Sequence, residues 1–588
     1  MKAVNIFIII VIGFVLAAPV LVYGTSFLSD DGATHAVWYS HFSSQLWAGE
    51  LYPRWVPAMN SGLGSPTFFY YPPGAYFFTS LLKPFFPGDI TGLHQLGVSS
   101  AAALALSGVF AYLWLEELTR PKPALISAIL YMITPYHLVA DLYVRGAFAE
   151  LWAFVWLPLI LYFAHKVAKN SGLAVVGLAI CYALLIITHL PTTLVFSAIP
   201  LGYAAVRAET GQRIKRVAAV AGAMLAGAGL SGIFLYPAIT TQSYVFVDRL
   251  STGYFSYQNW LFFSSFDLWP AEKIRILLLV VNLGVIVCCV FVFIRRSAAD
   301  KNIKRIASFW FAVAITGILM MTDISRPIWM IAVPLQKIQF PWRFGIVISL
   351  AVTALCALGI SSLSSVSAIK SKKVAAIAIV FASIWIPSAA WGVWFYFTPG
   401  DTKTIDYRTE EIRESREVPE YRPRWSQSMM AINWETSVDE DFWDTEMQSE
   451  FRGLVSRTGA SVESPSSVKI IDGEGQADIV TWKPRKILIE TNTSTGMKVN
   501  LSQFYFPNWQ ATVDETSVEV DVSPSGPDGL IGLDVPGGKH KILVELTTSK
   551  AEYIGQMMSL VSVVCLLFYS LVLGAIRMKT RYWAVAKF

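Results

Sequence analysis

The chain has 588 residues, of which 54% are apolar and only 15% charged, with a formal net charge of +5. This balance excludes a soluble fold, because uncharged stretches of roughly 20 residues, each long enough to cross a bilayer, recur along the chain. It also argues against nucleic acid as a partner, since the cations stand in short clusters between apolar segments and not on one face. Cys181, Cys288, Cys289, Cys356 and Cys565 all fall in apolar segments, which indicates neither a disulfide framework nor a thiolate metal site.

About twelve spans are predicted, near 3–23, 98–117, 124–141, 150–165, 172–188, 190–206, 217–237, 273–294, 306–321, 344–365, 374–396 and 553–576. The first, MKAVNIFIIIVIGFVLAAPVLVYG, exceeds the apolar core of a cleaved signal and is expected to stay as a helix. Basic clusters at Arg120 and Lys122, Lys166 and Lys169, 207–216, 295–305, 370–373 and 577–581 alternate with the spans. By the positive-inside rule those loops and both termini face the cytoplasm, in a multi-pass protein of the cell membrane. The expected organisation is a membrane domain over 1–396 with its first outer loop at 24–97, an extracytoplasmic β-rich domain over 397–552, and a final span with a basic tail over 553–588.

Within 397–552 no apolar run is long enough to span. Its first part, DTKTIDYRTEEIRESREVPEYRPRW, is charged and aromatic without periodicity, whereas 486–490 and 541–546 alternate apolar and polar residues as half-buried strands do. Turn signals at 523–526 and 536–538 fit a β-sandwich or jelly roll, which either caps the membrane domain or binds carbohydrate.

Chemistry is expected first at FLSDDGATHAVWYSHF, residues 27–42, where Asp30 and Asp31 follow the first span. Ionisable groups at such a place are costly to keep and usually serve a function. Either acid fits a general base; the alternative is that Ser29, Asp30 or Asp31 caps the following helix. If 31–47 is helical, Asp31 and His35 share a face, while Val37, Trp38 and Phe42 present apolar surface to lipid.

The motifs DDGATH (30–35), GELYPRW (49–55), GLGSPTFFYYPPG (62–74), DLYVRGAFAE (141–150), THLPTT (188–193), IQFPWRF (338–344) and FYFPNWQATVD (504–514) span nearly the whole chain. In order and placement they resemble those of YfhO-like and 6-pyruvoyl-tetrahydropterin-synthase-related bacterial membrane proteins, which are similar to the GT-C glycosyltransferase superfamily. The resemblance implies a mainly α, GT-C-like polytopic fold and transfer of a sugar from a polyprenyl-phosphate carrier to an extracytoplasmic glycan, lipid or protein acceptor. A donor delivered on lipid also suits a chain without a glycine-rich phosphate loop. No pterin chemistry and no cofactor are expected: His35, His41, His137 and His189 stand in separate segments without metal-ligand spacing, so a divalent metal is not indicated.

A transferase of this kind must accept a proton, stabilise a departing phosphate and align two substrates. Arg145 and Arg343 are the candidate phosphate ligands, because a guanidinium keeps its charge and grips two oxygens. Arg145 equally suits a structural ion pair with Asp141 or Glu150, and Arg343 an anchor for Trp342. His35 is expected to orient the base or contact phosphate. Glu150, His189, Arg54 and Gln339 complete the candidate substrate-binding set, with helix-end and interfacial anchoring as the alternatives. The segment 68–73 reads as a stiff extended loop, for stacking on sugar or for interface packing. Two other functions compete, a lipid-linked saccharide flippase and a non-catalytic envelope scaffold.

Overall fold

The computed structural model describes the chain apart from residues 25–28, 30, 90, 265–270, 297–299, 364–418, 427–452, 455–456, 459–466, 515–518 and 586–588. Among the described residues six helices are long and apolar enough to cross a membrane: Leu93–Glu116, Pro121–Val144, Phe148–Ala168, Lys301–Met320, Pro341–Ser362 and Lys550–Ile576. A bent pair, Arg213–Leu230 with Gly232–Thr240, makes a seventh if counted as one span.

The expected twelve are therefore not reached among these residues, and breaks in the helices account for much of the difference. The first apolar segment divides at Ala17 into Lys2–Leu16 and Ala18–Tyr23, with Pro19 in the first turn of the second piece. Ala174–Thr188 has only 15 residues, and 190–206 divides at Ser197 into Leu190–Phe196 and Ala198–Arg207. The segment 217–237 bends by 77° at Ser231. Helix Ala271–Arg296 covers the span expected at 273–294, and that expected at 374–396 lies outside the described residues.

A helix broken in lipid must have its freed backbone groups satisfied by a neighbour. The long C-terminal helix Lys550–Val585 does this at the Ser231 bend. Ser559 Oγ accepts from the Ile233 N–H at 2.8 Å and donates to the Leu230 carbonyl at 2.8 Å. Gly232 and Gly555 let the two backbones touch there, the close approach that small residues permit between membrane helices.

Among the described residues nine strands follow one another before the last helix: β1 (Val468–Asp472), β2 (Gln476–Lys483), β3 (Lys486–Thr493), β4 (Met497–Phe504), β5 (Trp509–Val513), β6 (Glu519–Val520), β7 (Val522–Ser525), β8 (Leu530–Val535) and β9 (Gly538–Leu546). They form two antiparallel sheets, β1-β4-β8-β7 and β2-β3-β9-β5-β6. The alternation seen in the sequence is the inward face: Ile487 and Ile489 of β3 and Ile542 and Val544 of β9 are buried in one core with Val499 and Leu501 of β4. Each such side chain contributes roughly 1.5–3 kcal/mol.

This β region is fixed to the chain between the first two apolar segments. Gln503, at the end of β4, accepts from Trp55 Nε1 at 2.8 Å and donates to the carbonyls of Pro57 and Gly62. Gly64 makes room for the joint: its φ is +86°, and a Cβ there would come within 2.5 Å of both Gln503 and Trp55. The β region thus holds the same loop that carries Asp31.

Candidate functional site

Asp31 stands immediately before helix Gly32–Trp47. Its side chain makes no capping hydrogen bond, so the capping alternative does not account for it. Instead its N–H donates to the Arg145 carbonyl at 2.8 Å, and its carboxylate lies 3.7 Å from the Arg145 guanidinium. Asp30 lies outside the described residues. The helix does not lie on lipid as expected: Val37, Trp38 and Phe42 are buried, because the rest of the first loop folds over them.

Arg145 is delivered by an unusual turn. The span Pro121–Val144 ends as a π-helix, Tyr136–Val144, a form often found at functional sites, and the Arg145 N–H bonds five residues back to the Ala140 carbonyl. Gly146 then adopts φ +60° against Ser29, where any Cβ would collide with the Ser29 hydroxyl. The wide turn leaves Arg145 Nη1 2.9 Å from Asp141 Oδ1 and 2.9 Å from Glu150 Oε2. Tyr136 Oη donates to the other Glu150 oxygen at 2.7 Å.

One guanidinium therefore faces three carboxylates of very different access. The Asp141 and Glu150 side chains are 0% and 1% exposed, while that of Asp31 is 45% exposed. The two buried acids neutralise Arg145 and fix it, since an unpaired charge at that depth would be strongly destabilising. Asp31 is the one of the three that a substrate can reach.

Arg343 joins the group from the opposite side, its Nε 3.6 Å from Glu150 Oε2. Its Nη1 donates to the Ile338 carbonyl at 2.6 Å and to Gln339 Oε1 at 3.2 Å, holding a turn in which Gln339 takes φ +65°. Left-handed backbone at a non-glycine residue persists only where its surroundings enforce it. The buried Arg343 Nε faces Glu150 without a hydrogen bond among the described residues, and Nη1 of Arg343, like Nη1 of Arg145, makes two hydrogen bonds.

His35 sits beside the acids with Nδ1 2.6 Å from Tyr76 Oη, ringed by Trp38, Tyr71 and Phe148. Burial pushes its pKa down to about 4; Asp31 opposes this and the Arg145 charge adds to it. The ring is therefore neutral near pH 7, a form that donates from one nitrogen and accepts at the other. A buried neutral histidine resists protonation that the unfolded chain accepts, so its contribution is full above pH 6.5 and is lost as pH falls towards 4. His35→Gln is expected to flatten the acid limb of the unfolding midpoint over that window, by at most about 3 kcal/mol. Thermal unfolding in detergent from pH 7 to pH 4 checks this, and parallel curves for parent and variant would refute it.

His189 ends helix Ala174–Thr188 and begins Leu190–Phe196. Its Nδ1 lies 2.7 Å from Thr192 Oγ1, and the ring lies close enough to Glu150, Arg343 and Arg145 to feel their charges. Arg54 is elsewhere. It pairs with Glu552 at 3.2 Å, donates to the Ile233 carbonyl at 2.8 Å and lies over the Tyr52 ring, so it ties the first loop to the last helix and is not in contact with the Arg145 cluster. The segment 68–73 is likewise not an extended loop: Thr67–Tyr70 is helical and buried.

Three aromatic residues wall the site, and of these only Tyr71 lies in the segment, 68–73, singled out from the sequence. Tyr71 contacts His35, Trp38 and Tyr76, and burial raises the phenols of Tyr71 and Tyr76. Tyr421, from the polar stretch before the strands, stacks parallel on Tyr70 and lies 6.0 Å from Trp38. Its neighbour Glu420 has a carboxyl pushed up by burial to about 7. Among the described residues no group of three or more His, Cys, Asp or Glu is arranged to hold a metal ion.

Fold and site define a mainly helical membrane protein with several apolar helices, a C-terminal β region and a polar, aromatic-walled cluster at the ends of Pro121–Val144 and Phe148–Ala168. The family model described as "6-pyruvoyl-tetrahydropterin synthase related domain; membrane protein" matches residues 68–399, more than half of the chain, and the chain belongs to that family. No curated protein matches it. Among solved structures it is similar to the archaeal oligosaccharyltransferase AglB from Archaeoglobus fulgidus in complex with an inhibitory peptide and a dolichol-phosphate, at 14% identity and a TM-score of 0.41, over 75% of this chain and 60% of that one. The apo form of the Archaeoglobus fulgidus oligosaccharyltransferase aligns at 12% identity and a TM-score of 0.35, over 76% of this chain and 59% of that one. The chain thus spans about three fifths of each of these solved chains.

Proposed function

We propose that the protein is a membrane glycosyltransferase that moves a sugar from a polyprenyl-phosphate carrier to an acceptor hydroxyl on the non-cytoplasmic face of the cell membrane. The observation that carries this reading is the half-exposed Asp31 carboxylate standing 3.7 Å from a guanidinium whose charge two buried acids already balance. The acceptor oxygen attacks the anomeric carbon, the bond from that carbon to the phosphate oxygen breaks, and the acceptor proton passes to Asp31. Phosphate leaves with the lipid as an anion, its charge met by the guanidinium groups of Arg343 and Arg145. Tyr71, packed against the buried Trp38 and Tyr76, supplies flat surface for a sugar ring, and His189 and Gln339 supply polar contacts at the rim. Asp141 and Glu150 act through Arg145 and are positioning residues.

A flippase is less well supported, since the ionisable cluster sits at the ends of Pro121–Val144 and Phe148–Ala168 and not at mid-span. A test uses vesicles holding the purified chain, with carrier-linked sugars and envelope acceptor material both extracted from cells that lack it. Release of free polyprenyl phosphate, absent from protein-free vesicles, is the expected result; sugar moved across the bilayer still joined to its carrier would favour the flippase.

A further inference from the structure

A second polar cavity, of about 450 Å³, lies where the β region meets the first turns of Lys550–Val585. Below it the same helix exposes Leu560, Val561, Val564 and Leu567, a surface suited to acyl chains, so the cavity sits at the depth where headgroups end and hydrocarbon begins. Its floor is fixed. Ser549 and Glu552 form a reciprocal cap at the start of the helix, and Glu552 also holds Arg54 at 3.2 Å and Arg485 at 3.5 Å.

The walls differ in charge. The tip of the β2–β3 hairpin brings Lys483, Arg485 and Lys486 to one side, the two lysines exposed. Opposite stand Gln45 and Glu50, joined by a 2.9 Å hydrogen bond from Gln45 Nε2 to Glu50 Oε2. Glu50 Oε1 and Gln45 Oε1 are buried, and among the described residues neither has a hydrogen-bond partner. Burial raises the Glu50 carboxyl, which a bound donor would relieve. The half-buried Gln45 and Glu50 side chains opposite two exposed lysines, across a space of this size, suit a ligand with an anion at one end and a donor at the other.

We propose that this cavity binds the headgroup of a membrane phospholipid that carries a hydrogen-bond donor, its phosphate on the hairpin cations and its hydroxyl or ammonium on Glu50 and Gln45. The site stands apart from the transfer reaction and clamps the β region to the membrane surface. The full chain, purified and delipidated in detergent, is titrated with phosphatidylglycerol, phosphatidylethanolamine or phosphatidylcholine, and separately with inorganic phosphate, and occupancy is read by native mass spectrometry. A single phosphatidylglycerol or phosphatidylethanolamine is retained, and phosphatidylcholine, whose quaternary ammonium cannot donate, binds about fivefold more weakly. Lys483→Glu with Lys486→Glu lowers phosphatidylglycerol occupancy at least about tenfold at an unchanged unfolding midpoint, because both side chains are exposed. Lys498→Glu, paired with Asp534 on the other sheet, leaves occupancy unchanged. Equal binding of all three lipids, undiminished binding by the double variant, or binding of inorganic phosphate to the exclusion of lipid would each overturn the proposal.

Discussion

Asp31→Asn is expected to lower sugar transfer by about 10²–10⁴-fold, the range that a positioned general base supplies. Asparagine keeps the shape of the side chain and removes its capacity to take a proton. The fold should tolerate the change. Asp31 makes no capping hydrogen bond, its carboxylate is 45% exposed, and its tie to Arg145 through the backbone N–H survives substitution. Stability is therefore expected to stay within about 0.5 kcal/mol of the parent. Asp30→Asn is the companion variant: transfer at the parent rate in it, with loss in Asp31→Asn, assigns the proton to Asp31.

Arg145→Met should act in the opposite manner, on the fold before the chemistry. Removing the guanidinium strands Asp141 and Glu150, 0% and 1% exposed, with no cation at 2.9 Å. Breaking a buried ion pair from one side costs about 3–5 kcal/mol, much of it the penalty of the charge left behind. If that account is right, neutralising the stranded acids should restore most of the loss. The triple variant Arg145→Met, Asp141→Asn, Glu150→Gln is expected to unfold within a few degrees of the parent in detergent, while remaining inactive. Equal midpoints for parent and single variant would show that Arg145 is not the partner that stabilises the two acids.

Much of this cluster was legible because lipid makes ionisable residues conspicuous. Asp31, Arg145, Glu150, His189 and Arg343 each interrupt or end an apolar run, and the structure gathers them. The π-helix at Tyr136–Val144 was not legible, since a run of apolar residues reads the same at four or five residues per hydrogen bond. Yet that turn is what places Asp141 and Glu150 on one guanidinium. Arg54 stood among the further substrate-binding candidates in the sequence; its partner, Glu552, is in the last helix, and no local pattern announces so distant a pair. Tyr76 and Tyr421 were hidden by abundance, in a chain with 24 tyrosines and 20 tryptophans. Hydropathy gave no sign of the breaks at Ala17, Ser197 and Ser231, because an averaging window passes over them.

The sharpest test of the whole account is the pool of carrier-bound sugar in cells lacking the gene and supplied with either the parent chain or Asp31→Asn, measured by mass spectrometry beside the envelope glycans. Accumulated carrier-bound sugar and an undecorated acceptor are predicted in the deletion, cured by the parent and uncured by an equally abundant Asp31→Asn chain. Normal pools in the deletion, or full cure by Asp31→Asn, would contradict it.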